Sequence, residues 1–234
     1  PEIQFMAARE VCSDQGLYLA AKGGHNAESH NHNDVGHFVI YADGRPVVID
    51  VGVETYTRKT FSSERYEIWT MQSAFHNLPT INGVQQQAGR ACQARDVSYR
   101  NDELSAELRL DIASAYPGTA GVKSWQRTLR LERGTSPEIQ VVDEFSLSAP
   151  STDLVLSLMS AQEPRIVDSD TVLLGDITLV FHGEGLQLLR VEHIALEDAR
   201  LKGSWGDSLY RLLLQPDRPV RTGRWILRVS KASR

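Results

Sequence analysis

The segment Gly23-Gly-His-Asn-Ala-Glu-Ser-His-Asn-His-Asn-Asp-Val-Gly36 gathers imidazoles, amides and carboxylates, and five of the seven histidines of the chain fall between His25 and His76. On a strand, residues two apart share a face, so His30, His32 and Asp34 are expected to line one side together. Neutral imidazole nitrogens and carboxylate oxygens suit a borderline-soft cation such as Zn2+, which in catalytic sites takes three protein ligands and a water. Asp50 and His76, the latter in Ser73-Ala-Phe-His-Asn77, are further candidate ligands. Plainer readings stand beside this one. A lone histidine is more often a hydrogen-bonded structural residue, which is the expectation for His37, His182 and His193. Asp50-Val-Gly52 also has the composition of a strand end.

The elements that must position these groups are strands. Val35–Tyr41 and Pro46–Val51 flank Ala42-Asp-Gly-Arg45, and Asp-Gly between two apolar runs is a hairpin signal. Arg58–Met71 is polar and rich in aromatic residues, and reads as a loop or short helix. Beyond it, short alternating segments recur at Ser105–Ile112, Ser124–Leu131, Glu138–Leu147, Asp153–Met159, Thr171–Phe181, Leu186–Val191, Leu209–Leu214 and Trp225–Val229, with turn residues between them. No helical periodicity intervenes. The expected fold is all-β, a large antiparallel β-sandwich of two layers, with residues 1–234 forming one domain.

Composition narrows the function. With 234 residues the chain is long enough to bury roughly 70% of the surface its unfolded form exposes. Its 25 basic and 30 acidic residues leave a net charge of −5, which argues against a nucleic-acid partner, for which a basic stripe or a pI above about 9 is expected. No apolar run approaches the ~20 residues of a membrane span, so no membrane partner is expected. The opening PEIQFMAARE has no basic-then-apolar leader, and the missing initiator Met suggests an excised piece, which leaves the parent's targeting open. Cys12 and Cys92 are expected to be buried free thiols, with a single disulfide as the alternative.

In combination, His25-Asn, Ser29-His-Asn-His-Asn-Asp-Val-Gly36, Ala42-Asp-Gly-Arg-Pro-Val-Val-Ile-Asp-Val-Gly52, Tyr56 and Phe75-His-Asn77 resemble the C-terminal β domain of heparinase II/III-like proteins, most densely over residues 16–90. The resemblance implies a parent polysaccharide lyase that cleaves acidic, uronic-acid-containing chains, with a helical toroid ahead of the β domain and the active site between them. No helical toroid is legible here, so the partner domain is expected to be missing and the fragment alone inactive. Residue by residue, the resemblance puts His32, Asp50 and His76 on a zinc ion, His30 on the catalytic histidine of the β domain, and Tyr56 on a tyrosine near the substrate.

Other residues suit the same substrate. His25 and Asn26 are candidate sugar contacts, though a polar surface loop has the same composition. Arg58, Lys59 and Arg65 suit an anionic chain. Tyr56, Tyr66 and Trp69 would stack on sugar faces, whereas Trp125, Trp205 and Trp225 sit where core or rim packing is expected. Apolar surface left by an absent helical domain would favour a homodimer. Two competing readings remain. A cupin-like metalloenzyme also begins its site with His-x-His, but the expected following Glu is absent until Glu54. A non-catalytic carbohydrate-binding or structural domain would keep the metal site as a staple.

Overall fold

In the computed structural model, which describes residues 3–232, the chain is built almost entirely of antiparallel strands. The largest sheet has eight, in the order Arg165–Ile166, Thr171–Leu174, Ile177–His182, Val220–Lys231, Glu138–Ser151, Val122–Glu132, Ser105–Asp111 and Arg95–Asn101. A four-stranded sheet runs Phe5–Arg9, Leu17–Lys22, Phe38–Ala42, Arg45–Val48. Another runs Leu186–Ala195, Ser208–Pro216, Leu154–Ser160, Pro79–Ile81. These two smaller sheets meet where the Ile49 amide donates to the Met159 carbonyl at 2.9 Å. One continuous apolar core holds residues of all three sheets, so the two small sheets together form the layer opposite the large one.

Alternation explains the packing. Along Val122–Glu132 every second residue is buried, and Trp125 and Trp225 clasp Phe145 with ring centroids at 4.6 and 4.8 Å. Trp125 and Trp225 are core, as expected. The hairpin at Ala42–Arg45 also forms as expected, with Asp43 and Gly44 both at positive φ (49° and 74°), the backbone that a tight two-residue turn demands. Arg58–Met71 folds as three short 3₁₀ helices.

Several expectations are corrected. Thr171–Phe181 is a hairpin of two strands that turns at Gly175. Phe5–Arg9 and Leu17–Lys22 are strands although their Ala, Leu and Lys content carries no alternation signal. A seven-residue helix, Ala199–Trp205, interrupts the strands, its first amides at Arg200 and Leu201 donating to the Asp198 carboxylate. Cys12 and Cys92 are free, as expected, but neither is buried: Cys12 is exposed and Cys92 half-buried. Among the described residues no helix is long and apolar enough to cross a membrane.

Candidate metal centre and adjoining cleft

Three side chains from three separate segments converge. His32 lies in the irregular stretch before the Phe38–Ala42 strand, Asp50 just beyond the Arg45–Val48 strand, and His76 directly after a further 3₁₀ turn, Ser73–Phe75. One ligand atom of each falls within 4.8 Å of the others. His32 Nδ1 and His76 Nε2 are 3.3 Å apart, and His76 Nδ1 is 3.9 Å from Asp50 Oδ2. Two nitrogens at that separation can share a hydrogen bond. They also match the edge of a tetrahedron around an ion with bonds of about 2.0–2.1 Å.

The electrostatics favour ligand-ready states. Burial lowers the pKa of His76 to about 4 against the opposing pull of Asp50, and burial likewise lowers that of His32, so both rings are neutral near pH 7. For Asp50, desolvation alone would raise the pKa, but the His37 hydrogen bond and the surrounding imidazoles hold it well below the usual carboxylate range. Two neutral imidazoles and an ionised carboxylate make one of the donor sets in which zinc is held, with a fourth position left for water or substrate. His76 Nδ1 is moreover buried without a hydrogen bond of its own.

Buried amides hold the loops in place. Asn77, fully buried, donates from Nδ2 to the Phe38 and Ile49 carbonyls (2.7 and 3.0 Å) and accepts the Met159 amide at 2.7 Å. Its own backbone N–H donates to His37 Nδ1 at 3.0 Å. That bond leaves the proton of a neutral His37 ring on Nε2, which faces Asp50 Oδ2 at 3.3 Å. Gln86 accepts the Val35 amide and donates to the Val35 carbonyl (3.0 and 2.8 Å), fixing the loop that carries His32. Gly36 is at φ +86°, where an added Cβ would lie 2.6 Å from Ile112 Cγ2, so only glycine closes this loop against the core.

Beside the triad opens a cleft of about 490 Å³, lined among others by His30, His32, Asp50, Arg200, Ser204 and Trp205. At its edge the His30 and Tyr56 rings lie nearly parallel, 9° apart with centroids at 6.1 Å, and Tyr56 Oη is 3.5 Å from His30 Nδ1. Both are exposed. His30 takes a left-handed backbone (φ 57°), uncommon for a residue with a Cβ. The Arg200 guanidinium sits 5.5 Å from the Tyr56 ring centre.

The structure separates residues that the sequence grouped. Residues 29–37 are turns and irregular chain, not strand, because positive φ at His30 and Gly36 breaks the alternation. Asp34 therefore does not join the triad but pairs with Lys22 at 2.8 Å. Asn26 is no sugar contact: it is fully buried, donating to Gln86 and the Gln87 carbonyl and accepting the Asp34 amide. His25 lies on a short ladder with Gly89–Gln93, outside the cleft lining. Arg65 ties loops together through the Asn31 and Thr60 carbonyls (2.9 and 2.8 Å), and Arg58 is exposed away from the cleft lining.

Trp69 donates to Glu54 and packs edge-on against Phe75, and Tyr66 receives a hydrogen bond from Asn31, so neither presents a stacking face in the cleft. Trp205, expected only to pack, lines the cleft while donating to the Val51 carbonyl at 2.9 Å. His37, expected to be structural, is indeed held by the Asn77 amide, and it also faces Asp50. Arg200 and Gln86 were not singled out in the sequence, and Asn77 entered only as part of Phe75-His-Asn77, with no role of its own. The Asp198 cap before Arg200 and the amide next to His76 were the signals available.

Residues 2–231 match a family described as heparinase II/III-like, C-terminal. No curated protein matches the sequence. Among solved structures, the heparan sulfate lyase HepC from Pedobacter heparinus is similar over 100% of this chain and 36% of its own, with 16% identity and a TM-score of 0.73. A heparinase III gene product is similar over 99% of this chain and 36% of its own, with 17% identity and a TM-score of 0.73. At such identity these likenesses establish the fold, and the chain spans about a third of the length of either protein.

Proposed function

Because the chain belongs to the heparinase II/III-like C-terminal family, we propose that it is the β domain of a polysaccharide lyase whose substrate is a uronic-acid-containing chain of the heparan sulfate kind, cut by β-elimination. In this reading His32, Asp50 and His76 hold a zinc ion. The zinc, when bound, supplies a fixed positive charge that ties three loops into one wall of the cleft. The observation that carries the reading is the adjacency of two sets of groups: a convergent donor set of two neutral imidazoles and a carboxylate, with His76 buried and His32 and Asp50 half-buried at the cleft wall, and an exposed His30–Tyr56 pair at the edge of the same cleft.

The chemistry asks for three things: removal of the weakly acidic C5 proton, stabilisation of the charge that develops on the uronate carboxyl, and protonation of the leaving O4. His30 and Tyr56 are close enough to pass a proton or to share one hydrogen-bonded oxygen of the substrate. Arg200, exposed beside Tyr56, supplies a cation for the carboxylate or a sulfate of the substrate. Trp205 offers an apolar wall. The remaining proton-transfer groups are assigned to the helical part of the parent, so the chain alone is expected to turn over nothing.

Two measurements test this. Elemental analysis of the purified chain should find near-stoichiometric zinc, lost when His32 and His76 are both replaced by alanine. The full-length parent should release unsaturated uronide products, read by their ultraviolet absorbance, and measurable cleavage by the chain alone would overturn the division of labour proposed here.

A further inference from the structure

Along Val122–Glu132 the inward series reads Trp125, Arg127, Leu129, Leu131, so one position of an otherwise apolar face carries a guanidinium. Arg127 is wholly buried. Directly opposite it on the neighbouring strand is Asp143, also buried, and the two form a bidentate pair with Nε and Nη2 each 2.7 Å from a carboxylate oxygen. Removing two charges from water is costly, and an apolar pair of similar volume usually serves stability as well or better. The remaining contacts of Arg127 give it another task.

Nη1 donates to the Gly36 carbonyl at 3.0 Å and to the Asn77 carbonyl at 2.8 Å. Those two carbonyls belong to the two loops that meet at the candidate metal centre. Gly36 directly precedes His37 and closes the loop of His32, and Asn77 directly follows His76. Asp143 fixes the plane of the guanidinium, and the ring of Phe38, with its centre 5.6 Å from the Arg127 carbon, restricts it from the side. One planar, rigid donor therefore sets the distance between the His32/His37 loop and the His76 loop. Lysine lacks the fork geometry to do the same.

We infer that Arg127 is a positioning residue for the metal centre, held by Asp143 and acting through the Gly36 and Asn77 carbonyls on the spacing of His32, His37 and His76. The inference rests on the zinc reading above for its consequence. It rests only on the hydrogen bonds for its geometry.

The test compares four forms of this chain: wild type, Arg127→Lys, the apolar double variant Arg127→Met with Asp143→Leu, and Leu131→Ala as a control that loosens the same strand without touching the carbonyls. Zinc affinity is measured by competition with a chromophoric chelator, and unfolding midpoints are recorded without metal. Both Arg127 variants are expected to lose 10–100-fold in zinc affinity, the usual cost of removing a group that orients metal ligands. Leu131→Ala, even where it loses as much stability, is expected to keep wild-type affinity. Wild-type affinity in a folded Arg127→Lys chain, or equal loss in Leu131→Ala, overturns the inference.

A metal-free readout separates this outcome from failure of the zinc reading. The imidazole ¹⁵N shifts report which nitrogen of His37 carries the proton, and that is set by the Asn77 amide. Arg127→Lys should mix the two tautomers of His37 in the absence of metal. If wild type binds no zinc, the zinc reading fails, and an unchanged His37 spectrum in Arg127→Lys then removes the positioning role as well.

Discussion

His37 stands between the Asn77 amide and the Asp50 carboxylate, with Nδ1 accepting at 3.0 Å and Nε2 facing Asp50 Oδ2 at 3.3 Å. Nε2 thus lies within ion-pair distance of the carboxylate, so a residue that is no part of the triad sits against one of its members. Replacing His37 by Phe leaves every candidate ligand in place but frees Asp50. Zinc affinity should fall 10–100-fold while the variant remains folded, measured by titration against a chelator.

Acid should act through the buried His76 imidazole. His76 has its pKa lowered by burial from 6.5 to about 4, so between those values the unfolded chain binds the proton that the folded chain refuses. Stability from this group is fully present above pH 6.5, declines as the pH falls towards 4, and changes no further below that. Urea unfolding of the metal-free chain should show a loss of about 3 kcal/mol across this window, largely removed in His76→Phe.

Asn77 should be costly to truncate. Alanine there strands the Phe38 and Ile49 carbonyls and the Met159 amide in the interior. The expected loss is at least about 2 kcal/mol in chemical denaturation.

His30 and Tyr56 should behave in the opposite way. Both are exposed, so His30→Ala and Tyr56→Phe should leave the unfolding midpoint unchanged. In the full-length parent each should lower kcat by about 10²–10⁴-fold in the unsaturated-uronide assay. Unaltered kcat in both would remove them from the chemistry.

Arg200 and Arg58 provide a paired comparison. Arg200 lines the cleft and Arg58 does not. Arg200→Ala should raise KM of the parent for acidic polysaccharide, more so at low salt, whereas Arg58→Ala should leave it unchanged.

Legibility followed the range of the physical signal. The Asp43-Gly44 turn was readable because few residues accept two successive positive φ values, and the later strands because alternation with a buried face is a local pattern. Phe5–Arg9 and Leu17–Lys22 were not, since Ala and Lys carry little strand preference and tertiary pairing decides their state. The supposed face of His30, His32 and Asp34 assumed a continuous strand, which the backbone at His30 and Gly36 forbids. Spacing alone did not select His32, Asp50 and His76, because they meet only in three dimensions, and the family resemblance supplied that grouping. The signal for Arg127 is a charge in an apolar alternation, which marks a buried cation without saying which carbonyls it holds.

The Arg127 contacts also impose an order on folding. The carbonyls that Arg127 holds lie 91 and 50 positions earlier in the chain, and its carboxylate partner 16 positions later. During synthesis the N-terminal part emerges first, and such distant pairings are slow to close. A nascent chain that stops short of Asp143 contains His32, Asp50 and His76 but lacks the frame that spaces them. The full spacing of His32, Asp50 and His76 is therefore reached only once Asp143 has paired with Arg127 in the large sheet.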